Sequence, residues 1–254
     1  MRLGFDLDGT VADMQTALAR EARRLFPDVD PASLPTSAAS ADPSKTSSKT
    51  EPAGDLQFHT NTLNAAQQRE LWKVVCAKPN FWETLDEIEP GALARLYAIA
   101  QERRWEVIFL TSRPESAGDT AQMQSHRWLV ARGFLTPSIF VVHGTRGKIA
   151  SSLALDVFVD DRPENCLDIS IDSSARPILV WRGQEENVPL SARQLGIGAV
   201  TSIAQCLDIL EDLDRSHDSG GGFVNRLKTL LGLKPKAPGR LRESSRPAAS
   251  TATR

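Results

Sequence analysis

The sequence predicts an α/β domain built around a parallel β-sheet. Short apolar runs rich in β-branched and aromatic residues alternate along the chain with longer segments whose apolar residues recur at helical spacing. One run, EVIFLTS (106–112), is almost continuously apolar, as expected of a strand that is covered on both faces. Strands and helices that take turns in this way are typical of a sheet whose strands all run in one direction.

The individual elements follow in a regular order. The predicted strands are RLGFDLD (2–8), EVIFLTS (106–112), SIFVV (138–142), DVFVDD (156–161) and PILVW (177–181). The predicted helices are MQTALAREARRLF (14–26), PGALARLYAIAQERR (90–104), a segment through HRWLVARG (126–133), GKIASSLA (147–154) and SIAQCLDILEDLD (202–214). Pro90 suits the start of its helix and Gly133 the end of its own. A polar turn, RPEN (162–165), is expected after the fourth strand.

One helical segment, NAAQQRELWKVVCAKPNFW (64–82), breaks the alternation between the first helix and the second strand. It lies near the predicted exit of the first strand, where α/β sheets bind ligands. We therefore interpret residues 56–82 as a small helical cap on a core formed by residues 1–30 and 83–214. The alternative is an ordinary packing helix.

Two further segments are too polar to form a packed core. Residues 31–55 are rich in Ser, Thr, Ala and Pro, and are interpreted as a low-complexity linker. Residues 215–254 carry nine Lys and Arg and two acids, a balance of +7. Because the net charge of the whole sequence is −2, residues 1–214 carry a net charge of about −9. An acidic core is not expected to bind nucleic acid. The basic tail contains a short amphipathic stretch, FVNRLKTLLGLK (223–234), which is either a frayed helix or a contact for an acidic partner or membrane surface.

Three features of the sequence bear on the cellular compartment of the protein. No uninterrupted apolar stretch reaches the length of a membrane span, and the first residues lack the layout of a signal peptide. The three cysteines are far apart in the sequence and odd in number, which does not suggest a disulfide framework. We expect a cytoplasmic protein.

The polar residues that carry chemistry fall at predicted strand ends. In a parallel sheet these ends share one edge, so residues remote in sequence should meet in one crevice. Asp6 and Asp8 flank a single leucine, and this spacing places both carboxylates on one face of the strand end. The two negative charges repel each other, and a divalent cation would offset this repulsion. Lys148, at the start of a predicted helix, lies within reach of the same edge. The strand-end residues are Asp6, Asp8, Thr111, Ser112, Asp160 and Asp161.

These residues resemble the four motifs of the haloacid-dehalogenase-like (HAD) hydrolases. DLDGT (6–10), the apolar run ending in Thr111, Lys148 and VDD (159–161) occur in the family's order over about the first 180 residues. The resemblance implies a Rossmann-like parallel sheet with the cap inserted after the first strand. FLTSRP (109–114), VDDRPEN (159–165) and FWETLDEIEPGAL (81–93) are in addition similar to the 5'(3')-deoxyribonucleotidase-like branch.

The resemblance implies a role for each residue. Asp6 would attack phosphorus and form an aspartyl-phosphate, which splits one difficult step into two. Asp8 would protonate the leaving alkoxide and later accept a proton from water. Thr111 would hold a phosphoryl oxygen through its hydroxyl, with help from Ser112, and Lys148 would supply positive charge.

The resemblance also implies Mg²⁺ as the cofactor. Its ligands would be the Asp6 side chain, the Asp8 backbone carbonyl and the Asp160 side chain, with Asp161 acting through a water. Backbone N–H groups of the turn at residues 9–10 are expected to point at the phosphate.

The expected activity is therefore phosphomonoester hydrolysis, with a nucleoside monophosphate as first-choice substrate. A sugar phosphate or phosphoglycolate is the alternative, and phosphomutase chemistry stays open. From another class, the chain could be a catalytically inactive binding or regulatory protein with the same fold. Single residues have plainer interpretations: Lys148 could be a solvated helix residue, Asp13 is expected to be structural, and Arg113 and Arg162 are expected to face water, with a substrate contact as the alternative.

Overall fold

The computed structural model describes residues 1–29 and 63–217, which form a six-stranded, all-parallel sheet flanked by helices. The strand order is β3-β2-β1-β4-β5-β6. The strands are β1 (Arg2–Asp6), β2 (Glu106–Thr111), β3 (Ser138–Val141), β4 (Val157–Asp160), β5 (Arg176–Val180) and β6 (Gly198–Val200). The α/β fold class predicted from the alternation of elements is confirmed.

Eight α-helices lie within the described ranges. They are α1 (Met14–Leu25), α2 (Ala65–Ala77), α3 (Ala92–Arg103), α4 (Ala121–Ala131), α5 (Arg146–Ser152), α6 (Pro163–Asp172), α7 (Leu190–Gln194) and α8 (Ile203–His217).

The prediction of a polar turn at residues 162–165 is wrong. Arg162 is the residue before α6, and Pro163 occupies the first helical position, where its missing N–H costs nothing. The short helix α7 and the three-residue strand β6 were also not predicted. The other strands and helices are confirmed, with ends shifted by a few residues.

Strand β1 lies at the centre of the sheet, and its position decides where the functional residues meet. Phe5 is paired with Phe109 of β2 on one side and with Val159 of β4 on the other. All three side chains are fully buried. Since the three strands run parallel and in this register, the residues that follow Phe5, Phe109 and Val159 emerge together at one edge.

Helix α2 packs against the core. Asn64 begins it with a capping box, in which its side chain accepts from the Gln67 N–H while the Gln67 side chain accepts from the Asn64 N–H. Leu71 and Val75 are fully buried in the same apolar cluster as β1 and α1. This packing suits a packing helix as well as a cap, and the assignment of residues 56–82 as a cap remains a prediction.

Three predicted segments lie wholly or partly outside the described residues: the linker at 31–55, residues 56–62 of the predicted cap, and the basic tail at 215–254 apart from the residues that complete α8. Within the described ranges, no helix combines the length and apolar character needed to cross a bilayer. The three cysteines, all of which the structure describes, are free thiols.

Candidate active site

Three predicted carboxylates meet at the carboxyl edge of the sheet. Asp6 is the last residue of β1, Asp160 is the last residue of β4, and Asp161 follows it. One carboxylate oxygen from each lies within 4.8 Å of the others. Asp160 is fully buried and Asp6 is nearly so, so these charges are brought together with little water to separate them.

Burial and mutual repulsion disfavour the ionised forms of all three groups. Burial and the neighbouring Asp160 raise the pKa of Asp6 well above its ordinary value, although the Arg146 guanidinium opposes this. Burial and the charge of Asp161 raise the pKa of Asp160 to about 7. Burial and the charge of Asp6 raise the pKa of Asp161 to about 7. Oxygen donors that repel one another at this range fit a hard divalent cation such as Mg²⁺.

Hydrogen bonds fix the orientation of Asp160. Its Oδ1 accepts from the backbone N–H of Arg162 at 2.8 Å, and its Oδ2 accepts from Nδ2 of Asn165 at 2.9 Å. Asn165 lies in the first turn of α6, the helix that sequence reasoning missed. Such outer contacts hold metal-ligating carboxylates in place.

The turn after β1 is held against Asp161. Thr10 is fully buried, and its hydroxyl donates to Oδ1 of Asp161 and accepts from the Asp161 N–H, both at 3.1 Å. Gly9 has φ +91°, and a Cβ there would come within 2.2 Å of the Asp161 carboxylate. Only glycine therefore suits this position. The Gly9 N–H donates to the Ala12 carbonyl at 2.9 Å, so the expectation that it points at a phosphate is wrong for this residue.

Arg182 contacts the turn after β1, which the sequence did not predict. It donates to the carbonyl oxygens of Gly9 and Thr10 at 2.7 and 2.8 Å, and to Glu89 at 3.0 Å. Glu89 also accepts from the backbone N–H groups of Ile203 and Ala204 at the start of α8. The turn that follows the nucleophile candidate is thus linked, through Arg182 and Glu89, to the start of α8. Asp13, expected to be structural, accepts from the Thr16 N–H and begins α1.

The side chain of Asp8 does not join the acidic cluster. Its Oδ2 accepts from the Thr111 hydroxyl at 3.0 Å, and its Oδ1 accepts from Nη2 of Arg113 at 2.7 Å. The expectation that Arg113 faces water is wrong, because its side chain is fully buried. The predicted phosphate contact of Thr111 and the predicted metal contact of the Asp8 carbonyl remain predictions.

The cation that contacts Asp6 is Arg146, not Lys148. Nη2 of Arg146 donates to Oδ1 of Asp6 at 3.0 Å and lies 3.5 Å from Oγ of Ser112. Lys148 is exposed, which agrees with the plainer interpretation of a solvated helix residue. Nη1 of Arg146 is buried and has no hydrogen-bond partner among the described residues. A buried donor without a partner is costly and fits an anionic ligand.

Helix α5, which carries Arg146, is anchored to α6. The Gly147 N–H donates to Oδ2 of Asp168 at 2.9 Å. A Cβ at Gly147 would lie 2.3 Å from the Asp168 carbonyl oxygen, so the two helices approach this closely only because the residue is glycine.

The raised pKa values predict how the stability of the metal-free protein depends on pH. Asp160 and Asp161 ionise near pH 4 when unfolded and at about pH 7 when folded. The folded state therefore binds more protons between these values. The contribution of these two groups to the free energy of unfolding is fully present below about pH 4 and is lost as the pH rises through about 7.

We expect the fall in Tm between pH 5.5 and 8.5, measured in EDTA by scanning calorimetry, to be smaller in Asp161→Asn than in the wild type. Saturating Mg²⁺ should raise the wild-type Tm more at pH 8.5 than at pH 5.5, because it offsets the repulsion. Identical pH dependence in both proteins would contradict the assignment of the repulsion to this cluster.

Of the comparisons with known proteins, the comparison with solved structures found similar chains. No protein-family model and no curated protein matches the chain. The structure is similar to that of a HAD family hydrolase from Deinococcus radiodurans R1 with bound phosphate and sodium, at TM-score 0.52 and 13% identity, covering 83% of this chain and 95% of that one. This likeness shows that the chain has the Rossmann-like fold of HAD hydrolases.

Two further solved structures are more distant. A putative beta-phosphoglucomutase from Thermotoga maritima has TM-score 0.49 and 15% identity, covering 83% of this chain and 98% of that one. A hydrolase from Pseudomonas syringae has TM-score 0.46 and 14% identity, covering 85% of this chain and 99% of that one. They add nothing to the fold assignment.

Proposed function

We propose that this protein is a Mg²⁺-dependent phosphomonoester hydrolase that acts through an aspartyl-phosphate on Asp6. The observation that carries the proposal is that the Asp6 carboxylate contacts Arg146 and lies close to the carboxylates of Asp160 and Asp161. A nucleophilic carboxylate needs its own charge compensated before it can approach a phosphate dianion, and this arrangement supplies the groups for it.

The acidic cluster is the part of the site that would hold Mg²⁺. Asp6 and Asp160 offer side-chain oxygens, Asp161 completes the cluster, and the Asp8 carbonyl is the fourth ligand that the resemblance implies. The bound ion would shield the nucleophile from the negative charge of the phosphate.

Arg146 is the group best placed to bind the transferred phosphoryl group. Its Nη1 is a buried donor without a hydrogen-bond partner among the described residues, and its Nη2 already contacts the proposed nucleophile. We therefore assign to Arg146 the charge-compensating role that the resemblance gives to Lys148. Ser112, next to Arg146, would assist, and Thr111 would do so once its hydroxyl, which donates to Asp8 in this structure, turned to the phosphoryl group.

Asp8 is the candidate acid and base. An acid at this position favours phosphatase or phosphomutase chemistry over dehalogenation, in keeping with the resemblance. Its carboxylate is held by Arg113 and Thr111, so it does not compete with Asp6 for the cation.

We propose a nucleoside monophosphate as substrate, on the similarity of residues 81–93, 109–114 and 159–165 to the 5'(3')-deoxyribonucleotidase-like branch. A sugar phosphate or phosphoglycolate is the alternative, and in either case specificity would lie in residues 56–82.

The proposal includes a cytoplasmic location, which the free thiols support. It also includes a contact of the basic tail with an acidic partner or a membrane.

The test is phosphate release from p-nitrophenyl phosphate, with and without EDTA. We expect release that EDTA abolishes and that excess Mg²⁺ restores. No release under any metal condition would favour the inactive binding protein. A panel of deoxyribonucleotides, sugar phosphates and phosphoglycolate then ranks the substrates by kcat/KM.

A further inference from the structure

We infer that Arg113 is a positioning residue for Asp8, and that Trp82 and Trp128 hold Arg113 in place for this purpose. The inference rests on the proposed function, in which Asp8 is the acid and base. It concerns four residues that come from three segments of the chain and that the fold brings into contact, which we call the Arg113 clamp: Trp82, Arg113, Ser125 and Trp128.

The contact between Arg113 and Asp8 is bidentate. Nε of Arg113 donates to Oδ2 of Asp8 at 2.9 Å and lies 3.0 Å from Oδ1, while Nη2 donates to Oδ1 at 2.7 Å. The side chains are 0% and 1% exposed. A planar guanidinium that binds both carboxylate oxygens fixes the plane of the carboxylate as well as its position.

The other members of the clamp contact the guanidinium of Arg113 through two ring faces and one hydrogen bond. Its guanidinium carbon lies 5.1 Å from the centre of the Trp82 ring and 5.7 Å from that of the Trp128 ring. Nη1 donates to Oγ of Ser125 at 2.9 Å, and the Ser125 hydroxyl is itself committed to the Ala121 carbonyl. Stacking of this kind favours Arg over Lys.

The tryptophans are in turn fixed by their own hydrogen bonds. The Trp82 indole N–H donates to the Pro114 carbonyl at 3.1 Å, and its backbone N–H donates to Oε1 of Gln124 at 3.0 Å. The Trp128 indole N–H donates to the Leu85 carbonyl at 2.8 Å. The segment between α2 and α3 is therefore tied to the segment that follows β2, with Arg113 at the junction.

This arrangement matters for catalysis because acid–base catalysis depends on alignment. A side chain that moves a proton must be held within hydrogen-bond reach of the reacting oxygen, and an error of about 1 Å can cost about 10²-fold in rate. Asp8 lies two residues beyond the end of β1, and its side chain is not part of the acidic cluster, so its orientation depends on Arg113 and Thr111.

The experiment compares kcat and KM for Arg113→Met, Arg113→Lys and the matched control Arg132→Met on p-nitrophenyl phosphate and on the best substrate of the panel. Arg132 also stacks on Trp128, at 4.5 Å, and donates to the Leu85 carbonyl. We expect kcat of Arg113→Met to fall by about 10²-fold with KM changed less than about 3-fold, Arg113→Lys to recover part of this, and Arg132→Met to keep wild-type kinetics.

A double variant tests whether Arg113 acts through Asp8. If it does, Asp8→Asn combined with Arg113→Met should be no slower than Asp8→Asn alone, since the positioned group is already gone. Losses that multiply, or a wild-type kcat in Arg113→Met, would overturn the inference.

A crystal structure of Arg113→Lys, chosen because it keeps a buried charge opposite Asp8, gives a readout that does not need turnover. We expect the Asp8 carboxylate to rotate relative to the wild type, and an unchanged rotamer would overturn the inference. Absence of activity in the wild type would instead count against the proposed function alone.

Discussion

Replacement of Asp6 by Asn is expected to abolish phosphate release, with a loss of about 10⁴-fold or more in kcat. The amide has nearly the same shape as the carboxylate but cannot attack phosphorus. Burial and the neighbouring Asp160 raise the pKa of Asp6, so removing its charge relieves repulsion, while loss of the ion pair with Arg146 acts in the opposite direction. We therefore expect little net change in the Tm. A folded, inactive variant is thus the expected result.

Asp13→Asn is the matched control for this change. Asp13 follows the same turn and caps α1 through its side chain, a role that Asn fills equally well. It should keep full activity. The wild type, quenched during turnover and digested, should yield an Asp6 peptide heavier by one phosphoryl group, and wild-type rates in Asp6→Asn would contradict the assignment of the nucleophile.

Replacement of Asp160 by Asn is expected to have the second largest effect, a loss of about 10²-fold or more in activity at limiting Mg²⁺. Both carboxylate oxygens accept hydrogen bonds, one from the Arg162 N–H and one from the Asn165 amide. An amide in their place would set its own NH₂ against one of these donors, so the ligand would be lost and the site disturbed.

The measurement is the Mg²⁺ concentration for half-maximal activity, together with calorimetric titration of Mg²⁺ into the protein. Asp156→Asn is the control, since Asp156 precedes the other end of β4 and accepts from the Arg2 N–H at 2.7 Å, away from the cluster. Equal Mg²⁺ affinity in Asp160→Asn and the wild type would show that the cluster does not hold the ion.

The convergence of Asp6, Asp160 and Asp161 could be predicted because it depends only on strand direction. Once two strands are parallel and adjacent, their carboxyl ends meet whatever the details of packing. The predicted turn at residues 162–165 failed for a local reason: Pro after a polar residue is as suitable for a first helical turn as for a loop. Strand β6 has three residues, too few for a pattern to show.

Arg146 and Lys148 illustrate what a sequence leaves undecided. They lie on one short helix, and residues two apart on a helix point about 200° away from each other. Whether Arg146 or Lys148 points towards Asp6 depends on how α5 is rotated about its own axis relative to α6. That rotation is fixed by the close approach of Gly147 to Asp168, a contact between two helices of which only one was predicted.

Arg113 could not have been placed from the sequence. A charged residue before proline at a strand exit is ordinarily solvated. Its burial requires Asp8, Ser125 and two tryptophans, which come from three other segments of the chain. Each of these residues alone is unremarkable, and their combined effect is a property of the tertiary structure.

The central place of β1 in the sheet has a consequence for synthesis of the chain. Strand β1 pairs on one side with β2 and on the other with β4, and β4 follows it in the chain by about 150 residues. Nascent chains that end before Asp160 hold the proposed nucleophile, Asp6, but lack its partner across the sheet. They should be unable to retain a metal ion, and the delayed, long-range pairing should make the folding of this protein slow compared with that of a helical bundle of equal size.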